Sequence, residues 1–169
     1  MEWRIGELED WSNGWYPTTP SLHHSTTPMS ERRNKNRGFK QLHVWQHALE
    51  LYKLTIEMLE TMHFQHQKSK ANTADAAHSI LRNIAEGYCR RSAKEYLNFL
   101  NIALASCGEL NSSMLAFNAS KLIDDESFET FDKLHYQTEN ELLALAHAIQ
   151  NKINLKQPWD ESYAPKKKD

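Results

Sequence analysis

The stretch SILRNIAEGYCRRSAKEYLNFLNIALASCGEL, residues 79–110, contains the end of one helix, a basic turn and the beginning of the next. Upstream of the turn, Ala77, Ile80, Ile84 and Tyr88 fall on one line of a helix, with Ala74, Leu81 and Ala85 beside it. Steps of three and four residues are what an amphipathic helix needs to bury one stripe. Gly87 is placed to close that helix, because glycine takes the left-handed conformation of a helix C-terminus without a Cβ clash. Past the turn, Ser92-Ala93-Lys94-Glu95 reads as a capping box, in which the Ser92 hydroxyl accepts the Glu95 amide and the Glu95 side chain reaches back. Tyr96, Leu100, Ala103, Cys107, Leu110, Met114 and Phe117 then hold a heptad spacing, the pattern of a bundle helix.

Outward from this hinge the same grammar repeats. Leu42, Trp45, Leu49, Tyr52, Ile56 and Leu59 form one helical stripe and Val44, Ala48, Leu51, Met58 and Met62 a second, with Glu50, Lys53, Glu57 and Glu60 on the wet side. The polar segment HFQHQKSK (63–70) interrupts that pattern. LIDDES (122–127) supplies a short loop and an acidic helix start that suits the helix dipole. Phe128, Phe131, His135, Thr138, Leu142, Leu145, Ile149 and Ile153 run on from it as the last stripe. The spacing predicts helices over about 41–63, 73–87, 92–120 and 126–155. Residues 39–155 are therefore expected to be all-α, folded as an antiparallel up-down-up-down four-helix bundle. Residues 1–38 lack helical periodicity and read as a largely disordered extension; the alternative reading makes Trp3, Trp11 and Trp15 anchors for a partner. Met29 offers a second start, which would leave residues 1–28 outside the folded protein, and residues 156–169 read as a flexible tail. The doubled apolar stripe on the first helix exceeds what one core uses and points to self-association.

Composition agrees with one domain of this class. The chain has 169 residues, 40% of them hydrophobic, with five glycines and five prolines, the prolines mostly near the two ends. A net charge of -2 excludes the uniformly basic surface of a strong, non-specific nucleic-acid binder. Cys89 and Cys107 are too few for a disulfide framework and read as reduced thiols of a cytoplasmic protein. No apolar run approaches the roughly 20 residues of a membrane-spanning helix, and the acidic N-terminus lacks the order of a signal peptide. No membrane partner is expected.

Nine histidines on a four-helix bundle raise the question of a di-iron centre, marked by Glu-x-x-His on two helices and a Glu from each of the others. Glu60–His63 and Asp132–His135 fit that mark loosely, but near them the second helix offers only Asp75 and the last turns of the third offer no carboxylate. His43 and His47, at i and i+4, lack a third zinc ligand, so no metal or other cofactor is expected. Cys89 sits beside Arg90 and Arg91, a setting that lowers a thiol pKa, yet no Cys–His pair can be located. Cys107 lies on the core stripe as a small hydrophobe, and the chain reads as non-enzymatic. Two polar features remain. Ser79, Asn83 and Glu86 share a stripe on the second helix, and Ser106 and Glu109 lie one turn apart on the third; such groups hydrogen-bond across a helix contact and fix its register. Arg82, Arg90, Arg91 and Lys94 gather around the junction beside the amide-rich start of the third helix, where a phosphate can be received. Repeated around an oligomer, such contacts add up.

These residues also carry a resemblance. Phe39, Leu42, Val44, Trp45, Gln46 and Ala48 match Phe-x-x-Leu-x-Val-Trp-Gln-x-Ala; Ser79, Ile80, Asn83, Ile84, Ala85, Glu86 and Gly87 match Ser-Ile-x-x-Asn-Ile-Ala-Glu-Gly. Arg90 or Arg91 with Ser92 and Glu95 match Arg-x-Ser-x-x-Glu, and Ala103, Ser106, Glu109 and Leu110 match Ala-x-x-Ser-x-x-Glu-Leu. In this order the motifs resemble the four-helix-bundle family first noticed as products of intervening sequences in bacterial 23S ribosomal RNA genes, over roughly residues 39–153. The resemblance implies a homopentameric ring of four-helix protomers. It also implies kinship with accessory proteins of the reverse transcriptases of diversity-generating retroelements, whose ring binds the polymerase and RNA or DNA. Where that family often has two arginines early in the second helix this chain has Ala74 and Asp75, and residues 39–155 hold eleven Lys and Arg against fourteen Asp and Glu. The alternative reading is a protein–protein adaptor without nucleic-acid binding.

Overall fold

The computed structural model describes residues 35–62 and 64–157; residues 1–34 with their three tryptophans, His63 and the tail from Pro158 lie outside the described residues. Within that range the chain is all-α, with helices α1 (His43–Thr61), α2 (Gln67–Tyr88), α3 (Ala93–Ala119) and α4 (Asp125–Asn154) and no strand. Short 3-10 segments, Lys35–Gln41 and Phe64–His66, lead into α1 and α2. The first overlaps the stretch 1–38 that composition assigned to an extension, and it packs on α1 and α2. Gln46 Nε2 donates to the Lys40 carbonyl at 2.9 Å, and a Cβ at Gly38 would overlap the Tyr88 hydroxyl.

Helix α2 begins at Gln67, ahead of the start near 73 that the apolar pattern marks. Residues 67–72 are mostly exposed, so no buried stripe announces them; the helix is continued by Thr73 Oγ1 donating to the Ser69 carbonyl at 2.8 Å and anchored by Lys70 Nζ on the Met62 carbonyl at 3.2 Å. In α1 the two apolar rows take roles that spacing alone does not assign. Val44, Ala48, Leu51, Met58 and Met62 are buried, whereas Leu42, Trp45, Leu49, Tyr52 and Ile56 are only half-buried at the edge. The whole heptad row of α3 is buried.

Helix α1 packs against α2 and α4, and α3 packs against the same two, so a single core runs through the four helices. Leu51, Ile80, Ile84, Leu100, Leu110, Met114, Phe131 and Leu142 have lost all solvent contact, each worth about 1.5–3 kcal/mol of burial. Buried threonines and His135 meet backbone carbonyls. Thr55 and Thr138 donate to the Leu51 and Leu134 carbonyls at 2.8 Å, and His135 Nε2 lies 3.0 Å from the Cys107 carbonyl. The α3–α4 turn closes through Lys121 in the left-handed region (φ 56), with the Leu122 amide on the Phe117 carbonyl at 2.9 Å. Asp124 then caps α4 by accepting the Ser127 amide at 2.8 Å. Among the described residues no helix is long and apolar enough to cross a membrane.

Candidate functional site

The hinge between α2 and α3 carries most of the motif residues, and its local chemistry departs from the sequence expectation at Gly87. Helix α2 does not end there in a left-handed residue: it runs through Tyr88, and Cys89 caps it in the right-handed region (φ -83, ψ -1). Gly87 is buried inside the last turn, and a Cβ on it would lie 2.6 Å from Tyr96 Cδ2 and 2.8 Å from Phe99 Cβ. The missing side chain is thus a matter of close helix–helix approach, not of backbone conformation.

Around that contact four rings meet edge to face. Phe39 lies 5.1 Å from Trp45 and 6.4 Å from Tyr88, and Tyr88 lies 6.3 Å from Tyr96, so the leading segment, α1, α2 and α3 are clasped by one aromatic chain. Pairs of this geometry contribute about 0.5–1.5 kcal/mol each beyond burial. The Trp45 Nε1 is buried without a hydrogen-bond partner, so the ring acts here as an apolar wedge. At the start of α3 the Glu95 amide donates to Ser92 Oγ at 3.2 Å, as a capping box requires, while the Ser92 hydroxyl itself donates to Glu95 Oε2 at 2.9 Å.

The polar stripe divides. Ser106 Oγ lies 2.8 Å from Ser79 Oγ across the α2–α3 contact, and Asn83 Nδ2 donates to the Ser79 carbonyl at 2.8 Å and its hydroxyl at 3.0 Å, which makes Ser79, Asn83 and Ser106 one register-fixing network. Glu86 does not join it and pairs instead with Arg90 on its own chain segment. Glu109 lines an open groove of about 320 Å³ together with Asn72, Asp75, Ser79 and Arg82.

The four basic residues therefore do not converge. The Arg90 guanidinium is held by Glu86 and lies 4.4 Å above the Phe99 ring, and its Nε is buried without a partner. Arg82 stands eight residues back along α2, about 12 Å at 1.5 Å per residue, in the groove it shares with two carboxylates. Arg91 and Lys94 are exposed and have no ion-pair partner among the described residues. The start of α3, where an anion would seat, is filled by the Ser92–Glu95 cap. Phe99 is the contributor the sequence reading missed; it stands three residues from Tyr96 on the same face, which is the signal that would have found it.

The thiols have no nucleophilic setting. Burial pushes the Cys89 thiol up and Arg90 only partly offsets it, the reverse of the lowering its arginine neighbours suggest. Burial, with the Glu139 carboxylate nearby, pushes Cys107 up to about 12. No three His, Cys, Asp or Glu side chains converge as metal ligands among the described residues. His47 Nδ1 lies 2.8 Å from Glu141 Oε2, and Asp132 is exposed while His135 is turned into the core.

Comparison with known proteins gives one positive result. No curated protein matches the chain. Residues 40–144, more than half of the chain, match the family described as 23S rRNA-intervening sequence protein, and that segment contains nearly all of the joint just described. The four helices of the structure fit that match, and this chain belongs to the 23S rRNA-intervening sequence protein family.

Proposed function

We propose that the protein is a non-enzymatic scaffold of the cytoplasm: an antiparallel up-down-up-down bundle that assembles into a ring of identical copies, pentameric by the family resemblance, and engages nucleic acid as an accessory of a reverse transcriptase. The observation that carries the scaffold reading is the α2–α3 joint, whose motif residues are consumed in clasping Lys35–Gln41, α1, α2 and α3 to one another. The antiparallel arrangement is supported by neighbouring pairs in which one residue number rises as the other falls: Gly38 by Tyr88 and Tyr52 by His78, Ser79 by Ser106 and Gly87 by Tyr96, Cys107 by His135 and Asn118 by Asp125. Self-assembly is supported by the half-buried apolar edge of α1.

Nucleic-acid contact rests on Arg91 and Lys94, the two exposed cations of the joint. Two phosphate contacts bind weakly, and a ring multiplies them. The test measures mass by light scattering and RNA binding by fluorescence anisotropy across salt concentrations. A discrete oligomer is expected, with salt-sensitive binding whose slope against log salt shrinks in an Arg91→Ala, Lys94→Ala variant. Absence of binding at low salt removes the nucleic-acid branch. A protein–protein adaptor then takes its place, a reading favoured by Glu86, which pairs with Arg90, and by the two carboxylates that share a groove with Arg82.

A further inference from the structure

Of the described histidines, His135 is turned into the core and His78 lies against the Tyr52 ring, whereas His43 and His47 stand one turn apart at the start of α1. Residues at i and i+4 share one face of a helix with Cβ atoms about 5–6 Å apart, a spacing from which two imidazoles reach one metal ion. His43 is exposed and makes no hydrogen bond or ion pair among the described residues, and His47 is half-buried. The sequence shows no third zinc ligand beside this pair. What the fold adds is not a ligand but a second carboxylate-bearing helix.

His47 is held from across the α1–α4 contact. Its Nδ1 lies 2.8 Å from Glu141 Oε2. An ionised carboxylate can only accept, so in the neutral ring Nδ1 carries the hydrogen and the Nε2 lone pair is left for a ligand. A histidine that ligates a metal almost always donates its other ring N–H in this way, which fixes the ring and raises its basicity. Gln137 Nε2 lies 3.3 Å from both ring nitrogens and from Glu141 Oε1. Equidistant from the two nitrogens, it sits on the lone-pair axis of neither, and its side chain is exposed and free to turn aside.

The local field is mixed. A helix start carries partial positive charge, which opposes a cation there. Two carboxylates offset it: Glu141, and Glu50, exposed three residues beyond His47 on the same face of α1. The start of α1 also lacks a side-chain cap, since Leu42 makes no such hydrogen bond, so a chelate from His43 to His47 would close a first turn that is otherwise left open.

We infer that His43 and His47 form a two-imidazole site for a divalent late first-row transition ion, Zn(II), Ni(II) or Cu(II), with Glu141 orienting His47 and water completing the shell. No third His, Cys, Asp or Glu converges on the pair among the described residues, so the site has two protein ligands and no more. Imidazole selects these ions over Mg(II) and Ca(II), which take oxygen ligands. The ion fastens the turn from which Trp45, between the two histidines, reaches the Phe39 ring of the aromatic clasp.

The test titrates Zn(II) into the full chain in a Cys89→Ser background, which removes the exposed thiol as a competing ligand, and follows the imidazole nitrogens by NMR. The Nε2 resonances of His43 and His47 are expected to shift together while those of His78 and His135 stay, and Mg(II) is expected to shift neither of the pair. Glu141→Ala is expected to weaken binding by about 10–100-fold, the cost of losing an outer partner of a ligating histidine. Glu141→Gln, whose amide oxygen still accepts the Nδ1 hydrogen, is expected to lose less, and His43→Ala, which removes a ligand outright, to lose more. Circular dichroism confirms helix content in each variant. A titration that moves neither ring overturns the inference, as does undiminished affinity at His47 in His43→Ala, which would make each ring a separate ligand. Binding by Glu141→Ala as tight as by the parent overturns the part given to Glu141.

Discussion

A methyl group at position 87 has nowhere to go, because the Tyr96 ring and the Phe99 Cβ already occupy that space. Overpacking of this kind costs about 1–3 kcal/mol, against about 1 kcal/mol that alanine gains over glycine in a helix. Gly87→Ala is therefore expected to lower the urea midpoint at unchanged m-value, and a raised midpoint would show that α2 and α3 do not approach so closely there. The cysteines give a second residue-scale expectation. Cys89 is exposed and Cys107 is fully buried with its thiol pushed up to about 12, so iodoacetamide near neutral pH should label Cys89 alone in the native protein and both in urea, as read by mass spectrometry. Early labelling of Cys107 would mean that the α3–α4 contact opens readily.

Among the elements, α4 depends on its first turn. The Asp124 carboxyl is held below the usual carboxylate range by the Ser127 amide and hydroxyl, and Asp125 by Asn118 and Lys121. A depressed folded pKa contributes stability that is present above the ordinary value near 4 and is lost as pH falls through the lower folded value. The melting temperature is expected to hold between about pH 7 and 5 and to fall below about 4, and Asp124→Asn, which keeps a capping oxygen, should flatten part of that fall. An unchanged acid limb would assign it to other carboxylates. The Ser79–Asn83–Ser106 network acts at the same scale, fixing how far α2 slides along α3.

For the whole molecule, assembly and folding are linked. If copies bind one another only when folded, mass action makes the melting temperature rise with protein concentration, and calorimetry over a hundredfold range should detect it. A concentration-independent midpoint, with a monomer mass, would contradict the ring. The exposed cations Arg91 and Lys94 sit at the end of the bundle near the aromatic clasp.

The four helices, the α3 heptad, the Ser92 cap and the family were legible in the sequence because each is a local or periodic pattern, carried by spacing and short motifs. Side-chain period also located the last stripe on α4, down to the buried His135. What spacing could not assign was decided by neighbours. Which of two apolar rows on α1 enters the core depends on where α2 and α4 lie, and the row beginning at Leu42 proved to be the edge. Gly87 looks the same on paper whether it turns the chain or admits a ring, and only the position of Tyr96 distinguishes them. The cluster of four cations is close in sequence, yet Glu86, Phe99, Asp75 and Glu109 divide it in space. Sequence by itself determined the elements, whose energetics are local; the tertiary structure alone decided what each charged or small residue meets, because that is set by contacts between helices.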